Sequence, residues 1–293
     1  MAQYFTERLQ KVFHMIFTSY NQKMAQEGLR QLELIVNNQQ GTVQTDHLAL
    51  RNDMTTLLES DIDTKEDALK IANDPESREL GDAYALLARV YAGPRFTWEE
   101  SNFPEDNMRT YQCLHDSIRR CSPIGTLQAL RIKGSITPTV EKDMQISFDD
   151  AFRIVYDHAN RGDAYCQYVI GNVFFWRDDN RIDSAEAMLT PPPMSWTKRI
   201  QRSLTANSVQ DRIAALQGIV PDEKLQKNAS NLAKEWFNKA LDNGLAMFQG
   251  NLRNIYIDEA DFSNARRVAK TAAELGNPSM MLYTGLDCHE NGK

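Results

Sequence analysis

Apolar residues recur along this chain at helical spacing. Ala233, Trp236, Phe237, Ala240 and Leu241 fall at i, i+3, i+4, i+7 and i+8, which is one face of a helix. Gly244 stands where that helix must stop, because a residue without Cβ takes the left-handed C-cap conformation at little cost. Ala246, Phe248, Leu252, Ile255 and Tyr256 then predict a second helix. A hairpin of this size cannot bury its own apolar face, so it calls for neighbours of the same kind.

The same pattern predicts helices over much of the chain. Residues 1 to about 60 read as three: Gln3 to Asn21, Met24 to Asn37, and Thr45 to Glu59 with Leu48, Leu50, Met54, Leu57 and Leu58. Asp67 to Asn73 follows, then the turn Asp74-Pro75 and a periodic run from Gly81 to Gly93, closed by Gly93-Pro94. Residues 107–120 and Thr126 to Lys133 are helical around a break at Ser122-Pro123-Ile124-Gly125, and Ala151 to Trp176 repeats the hairpin pattern. Trp196 to about Gly218 reads as one helix, with a turn at Val220-Pro221-Asp222. The stretches 94–106, 134–147 and 177–195 read as insertions, the last ending in three prolines with polyproline character.

The hairpins share a register. An Ala lies eleven residues before a Gly in Ala151/Gly162, Ala233/Gly244 and Ala265/Gly276, and Gly171 and Gly285 lie nine after their pivots, where a helix backbone can approach a neighbour. Gly-Asp-Ala-Tyr occurs at Gly81 and again at Gly162. Placing further pivots near Cys121 and Leu204 gives intervals of 40, 41, 42, 40 and 32 residues. Gly41 adds a degenerate unit to the N-terminal side. Such a period carrying helix–turn–helix units predicts an all-α solenoid.

Ala233, Trp236, Phe237, Lys239, Ala240, Gly244, Ala246, Gln249, Leu252 and Tyr256 resemble the Sel-one-like repeat, a relative of the tetratricopeptide repeat, whose pattern is approximately A-x-x-W-Y-x-K-A-A-x-x-G-x-A-x-A-Q-x-x-L-G-x-x-Y. Ala265, Ala272, Ala273, Gly276 and Gly285 follow it in the next unit, with Val268 in the Trp position, and Ala151, Ala159, Gly162, Ala164, Gln167 and Gly171 in an earlier one. The resemblance implies a right-handed α-solenoid of about six to seven antiparallel helix pairs with a concave groove. It covers 67–293 with the three insertions, and leaves 1–66 as N-terminal helices holding a degenerate repeat. Members of the family serve as adaptors that assemble protein complexes, many of them bacterial. A secreted branch staples each hairpin with cysteines eight apart on its two helices. Cys113 and Cys121 are eight apart but out of that register, and Cys166 and Cys288 have no partner at that spacing.

Composition narrows the function. The chain of 293 residues carries a formal charge of −7, which argues against a general nucleic-acid or anionic-membrane binder, since those need a basic face. Lys198, Arg199 and Arg202 form the best local basic patch. No apolar run approaches the roughly 20 residues that span a bilayer. The first residues predict an amphipathic helix with Glu7, Arg8, Lys11 and His14, rather than a signal peptide, so the expected location is cytoplasmic. The four cysteines form no CxxC. If Cys113 and Cys121 share a helix they lie roughly 12 Å apart, beyond the ~7 Å between Cα atoms that a disulfide tolerates, so all four are expected to be reduced.

Motifs for nucleophilic, phosphate-binding or zinc chemistry are absent from the sequence. Cys288-His289-Glu290 is the densest ligand-type run, but adjacent helical residues point apart. No cofactor, metal or catalytic residue is expected. The first helix of each solenoid pair lines the inner face, which makes Arg153, Asp157, Lys234, Asn238, Arg266 and Lys270 the candidate partner contacts. Trp98, with Phe96 and Phe103, joins them if its loop is exposed. The expected function is a non-catalytic scaffold for a protein or peptide, without nucleic acid or membrane. Two alternatives are a regulator binding a small ligand or signal peptide in the groove, and a divergent enzyme. The chain ends where another unit would start, so the last face is expected either to continue into a longer protein or to dock on another chain, as in a homodimer.

Overall fold

The computed structural model describes residues 3–40, 64–98, 101–133, 138–189, 195–206, 208–218, 222–247 and 249–290. Among them there are sixteen α-helices and no strand. They are α1 Glu7–Phe13, α2 Gln22–Gln40, α3 Lys65–Asn73, α4 Pro75–Tyr91, α5 Asn107–Arg119, α6 Pro123–Lys133, α7 Pro138–Asp143 and α8 Phe148–Asn160. Then come α9 Ala164–Phe175, α10 Asp183–Leu189, α11 Trp196–Thr205, α12 Val209–Gln217, α13 Asp222–Asp242, α14 Gly250–Asp258, α15 Phe262–Glu274 and α16 Pro278–Glu290. The helix expected over 45–59 and the turn expected at 220–221 lie outside the described residues.

Five helix junctions close in the same way. The junctions at Cys121, Gly162, Gly244, Ala260 and Gly276 each place that residue at positive φ. In each, its N–H and that of the next residue bond back to carbonyls three and five positions upstream, as in Gly162 N to Ala159 O (3.0 Å) and Asp163 N to His158 O (3.1 Å). These are Schellman closures, which satisfy the orphan carbonyls of a helix end. At four of them the following residue caps the next helix. Ser122, Asp163, Asp261 and Asn277 accept from the N–H three residues on. The expected pivot near 121 is therefore a turn, taken by a cysteine at φ 57 rather than a glycine. Cys113 and Cys121 do not share a helix, and Cys113, Cys121 and Cys166 are free and buried.

Other expectations change. Gly81 is no pivot: Asp74 caps α4, Pro75 sits in its first turn, and the helix runs through Gly81 to Tyr91. This glycine serves close packing, since a Cβ there would lie 2.7 Å from the Arg120 carbonyl oxygen. Leu245, Ala246 and Met247 are not helical and the next helix opens at Gly250; the Ala246 carbonyl accepts from the Asn277 side chain (2.7 Å). Trp196–Gly218 is two helices, broken at Ala206 in extended conformation and restarted by Ser208, which accepts from Asp211 N (3.0 Å). The pivot inferred at Leu204 is therefore misplaced. The insertion 177–195 contains α10, whose Ala185 and Leu189 are buried, and 134–147 contains α7, opened by Pro138. Near the N-terminus, α1 passes into a π-helical turn over His14–Thr18.

Most of the described helices share one core that runs from Tyr4 to Met280; α7, α11 and α12 place no residue in it. α4 packs on α5 and α6, α8 on α6 and α9, and α9 directly on α13, which is followed by α14, α15 and α16. The α9/α13 contact is tight. Phe237 lies against Gly171, whose added Cβ would be 2.5 Å from the ring, so the close approach expected of Gly171 is present. Gly285 has nothing within 4 Å. Trp236 packs edge-on against Tyr156 (5.3 Å between centroids), in the core role expected of it.

At the other end of the core, the N-terminal stretch around Tyr4 is held by buried polar groups. Arg78 donates to Asp82 (3.1 Å), to the Ala72 carbonyl (2.8 Å) and to the Tyr4 carbonyl (2.6 Å). Tyr4 Oη donates to Asp82 (3.2 Å), Ser122 Oγ donates to the same carboxylate (2.6 Å), and Tyr4 N donates to Asp163 (2.9 Å). A buried guanidinium survives only with such full pairing.

Candidate functional site

One surface groove has a volume of about 930 Å³. It forms where α3 and α8 begin, α7 ends, and the 3-10 turn Asp178–Arg181 leads into α10. Local sequence sets two of these edges. Thr64 caps α3 by accepting from Asp67 N (3.2 Å), and Ser147 caps α8 by accepting from Asp150 N (3.1 Å). Ala68, Ile146 and Phe148 are buried beneath the opening, and charged side chains form the rim.

Those charges pair with one another, two of the pairs between elements and Arg153–Asp149 within α8. Lys65 meets Asp150 (3.0 Å), Arg153 meets Asp149 (2.7 Å) and Arg181 meets Glu141 (2.8 Å). Arg153 Nε also donates to Ser184 Oγ (2.9 Å), and Asp149 accepts from Ser184 N (2.7 Å), which ties α8 to α10. Burial works to raise the Asp150 pKa, but the Ser147 hydroxyl and the Lys65 ammonium outweigh it and hold the carboxyl below its ordinary value. A ligand here would meet cations and anions side by side over an apolar floor.

The expected contact residues divide. Arg153 lines the groove. Asp157 is exposed on the same helix, α8. Lys234 and Asn238 are brought together one turn apart on α13, in a network reaching α14 and α15. Lys234 pairs with Glu259 (2.6 Å), and Asn238 donates to Tyr256 Oη (2.9 Å) and accepts from Arg267 (2.6 Å). Arg266 and Lys270 are exposed on α15, Lys270 near Glu274 (3.9 Å). Trp98 is buried, and its Nε1–H donates to the Ile16 carbonyl (2.8 Å), so it is no exposed anchor. Phe96 and Phe103 are buried with it.

Sequence reasoning missed Lys65, Glu141, Asp149, Asp150 and Arg181. Ser147-x-x-Asp150 is a legible capping signature. Nothing local announces a pair such as Glu141 and Arg181. Among the described residues no group of three or more His, Cys, Asp or Glu side chains is placed to hold a metal, and no helix is long and apolar enough to cross a membrane. The side chains of Cys288-His289-Glu290 lie outside the described residues. His158 is half-buried against Tyr4 (5.1 Å between rings), and burial, aided by Arg78, lowers its pKa.

No protein-family model, curated protein or solved structure matches this chain.

Proposed function

We propose that this chain is a Sel-one-like α-solenoid that acts as a non-catalytic scaffold and holds a protein or peptide segment on its helical surface. The observation that carries the reading is the set of five identical helix closures, at 121, 162, 244, 260 and 276. Closures of this kind end many helices, and what ties these to a repeat is that three of the five fall on the glycines eleven residues after Ala151, Ala233 and Ala265. The partner would lie along α8 and the groove beside it, where Arg153 is the residue both the periodicity and the concavity select. A peptide of mixed charge fits the paired rim better than a uniformly charged ligand does. The cell compartment that goes with this reading is the cytoplasm.

The test is affinity capture with mass spectrometry, using wild type and Arg153→Glu, set beside a thermal-shift screen of metabolites. The reading expects reproducible protein partners whose recovery falls with Arg153→Glu while the far-ultraviolet circular dichroism is unchanged. A large thermal shift with one metabolite, and no partner, would favour the second reading, a ligand-binding regulator. That alternative has its own support in the volume and apolar floor of the groove.

A further inference from the structure

The α15–α16 hairpin repeats the α8–α9 hairpin but lacks its neighbour. Both turn on a glycine at positive φ, Gly276 and Gly162, and in both the next residue caps the second helix. Counting from those glycines matches the two hairpins residue by residue. Gly285 stands where α9 has Gly171, and Leu282 where it has Tyr168. On α15, Arg266 and Lys270 stand where α8 has Phe152 and Tyr156. Across the first hairpin lies α13. Its Phe237 sits on Gly171 and against the Tyr168 ring (6.1 Å), and its Trp236 meets Tyr156 (5.3 Å). Tyr168 is 5% exposed there. The matching face of the second hairpin is bare. Leu282 is 65% exposed and Met281 51%, a Cβ on Gly285 would meet nothing within 4 Å, and Arg266 and Lys270 are exposed. At ~100° per residue, Met281, Leu282 and Gly285 fall within about 100° of one another on α16, so they share one face. Met280, on the far side of the helix, is buried in the core.

We infer that this face of α15 and α16 docks an acidic amphipathic helix of a partner protein, seated as α13 is seated on α8 and α9. The molecule itself shows what such a face takes: a helix laid across the hairpin, with a bulky ring in the notch over the glycine. Charge sets how the partner differs from α13. Where α8 presents the rings of Phe152 and Tyr156, α15 presents two cations, and Lys270 approaches Glu274 only to 3.9 Å. A helix lying there gains by carrying acids on the edge that faces α15. A second copy offers the wrong charge. The chain's own exposed amphipathic helix is α11, with Trp196, Ile200 and Leu204 bare, and it carries Lys198, Arg199 and Arg202 with no acid. The inference rests on the repeat reading of the hairpins. It shares no residue with the groove beside α8.

Fluorescence anisotropy on the full chain tests this. The probe is a labelled, helix-stapled peptide of residues 229–243 carrying Lys234→Glu and Lys239→Glu, which keeps Phe237 and the apolar face of α13 and gains acids. The expected result is saturable binding with a dissociation constant below about 100 μM. Leu282→Glu, Gly285→Phe (which fills the notch) and Phe237→Ala in the peptide should each weaken it more than about tenfold. Lys270→Ala should weaken it by up to about fivefold. Arg153→Glu, in the groove, should leave it unchanged, so the two readings fail separately. Leu282 and Gly285 are exposed, so their variants should keep the wild-type circular dichroism. Binding that does not saturate by about 1 mM, or that Leu282→Glu and Gly285→Phe both leave intact, overturns the inference. So does a wild-type dimer in sedimentation equilibrium that Leu282→Glu dissolves, which gives the face to a second copy.

Discussion

Replacing Gly171 with alanine probes the seam between α9 and α13. The new methyl carbon would lie 2.5 Å from Phe237 Cδ1 and 2.6 Å from Cε1. Carbon atoms in contact sit at about 3.5–4.0 Å, so ring and helix must separate by about 1 Å. Phe237 has little room to yield, being buried and flanked by the rings of Tyr168 (6.1 Å) and Phe175 (6.0 Å). Overpacking of this kind costs about 1–3 kcal/mol. Alanine in place of a mid-helix glycine returns about 0.8–1 kcal/mol. An overlap of about 1 Å belongs to the upper part of that cost range, so the net expectation is a loss of about 1–2 kcal/mol, read as a lower urea midpoint by circular dichroism. Gly250→Ala is the control: nothing lies within 4 Å of its Cβ position and its φ is negative, so it should be neutral or slightly stabilising. Combining Gly171→Ala with Phe237→Leu should cost less than the two single changes summed, by at least about 0.5 kcal/mol. A Gly171→Ala protein as stable as wild type, or an additive cycle, would refute the packing argument.

Burial pushes the Asp82 carboxyl up to about 6, against the pull of Arg78, Ser122 and Tyr4. The native chain thus holds a proton that the unfolded chain has released, so this group's stabilisation is full below about pH 4 and lost as pH rises through about 6. Wild type should lose on the order of 2–3 kcal/mol relative to Asp82→Asn between pH 4 and 7, and parallel urea profiles for the two proteins would contradict this. Trp98→Phe removes the Nε1–H donor of the Ile16 carbonyl and should cost about 1–2 kcal/mol in chemical denaturation; an unchanged midpoint would return Trp98 to the list of free surface aromatics. Burial pushes the Cys113 and Cys121 thiols up to about 12, and Cys166 well above its ordinary value. All three should resist an aromatic disulfide reagent until the protein unfolds, and more than one thiol reacting promptly in the native protein would show that the core is open.

The sequence by itself determined the helices and many of their ends. A cap, a Schellman turn or a proline in the first turn is settled by bonds between residues three to five apart, so Asp74-Pro75, Gly162, Gly244 and Gly276 are legible without neighbours. The core role of Trp236 and Phe237 and the close approach at Gly171 were legible too, because periodicity fixes which face is apolar. Tertiary structure decided what periodicity leaves open. Gly-Asp-Ala-Tyr ends a helix at Gly162 but lies inside α4 at Gly81, where Asp82 pairs with Arg78 one turn back and accepts from Tyr4 and Ser122, which come from other parts of the chain. The rim of the groove joins Lys65 to Asp150 and Glu141 to Arg181. α9 reaches past α10, α11 and α12 to pack on α13, which is what leaves the apolar faces of the α11–α12 hairpin bare. An amphipathic stripe states that a face needs covering, and only the packing of distant segments decides whether this chain covers it.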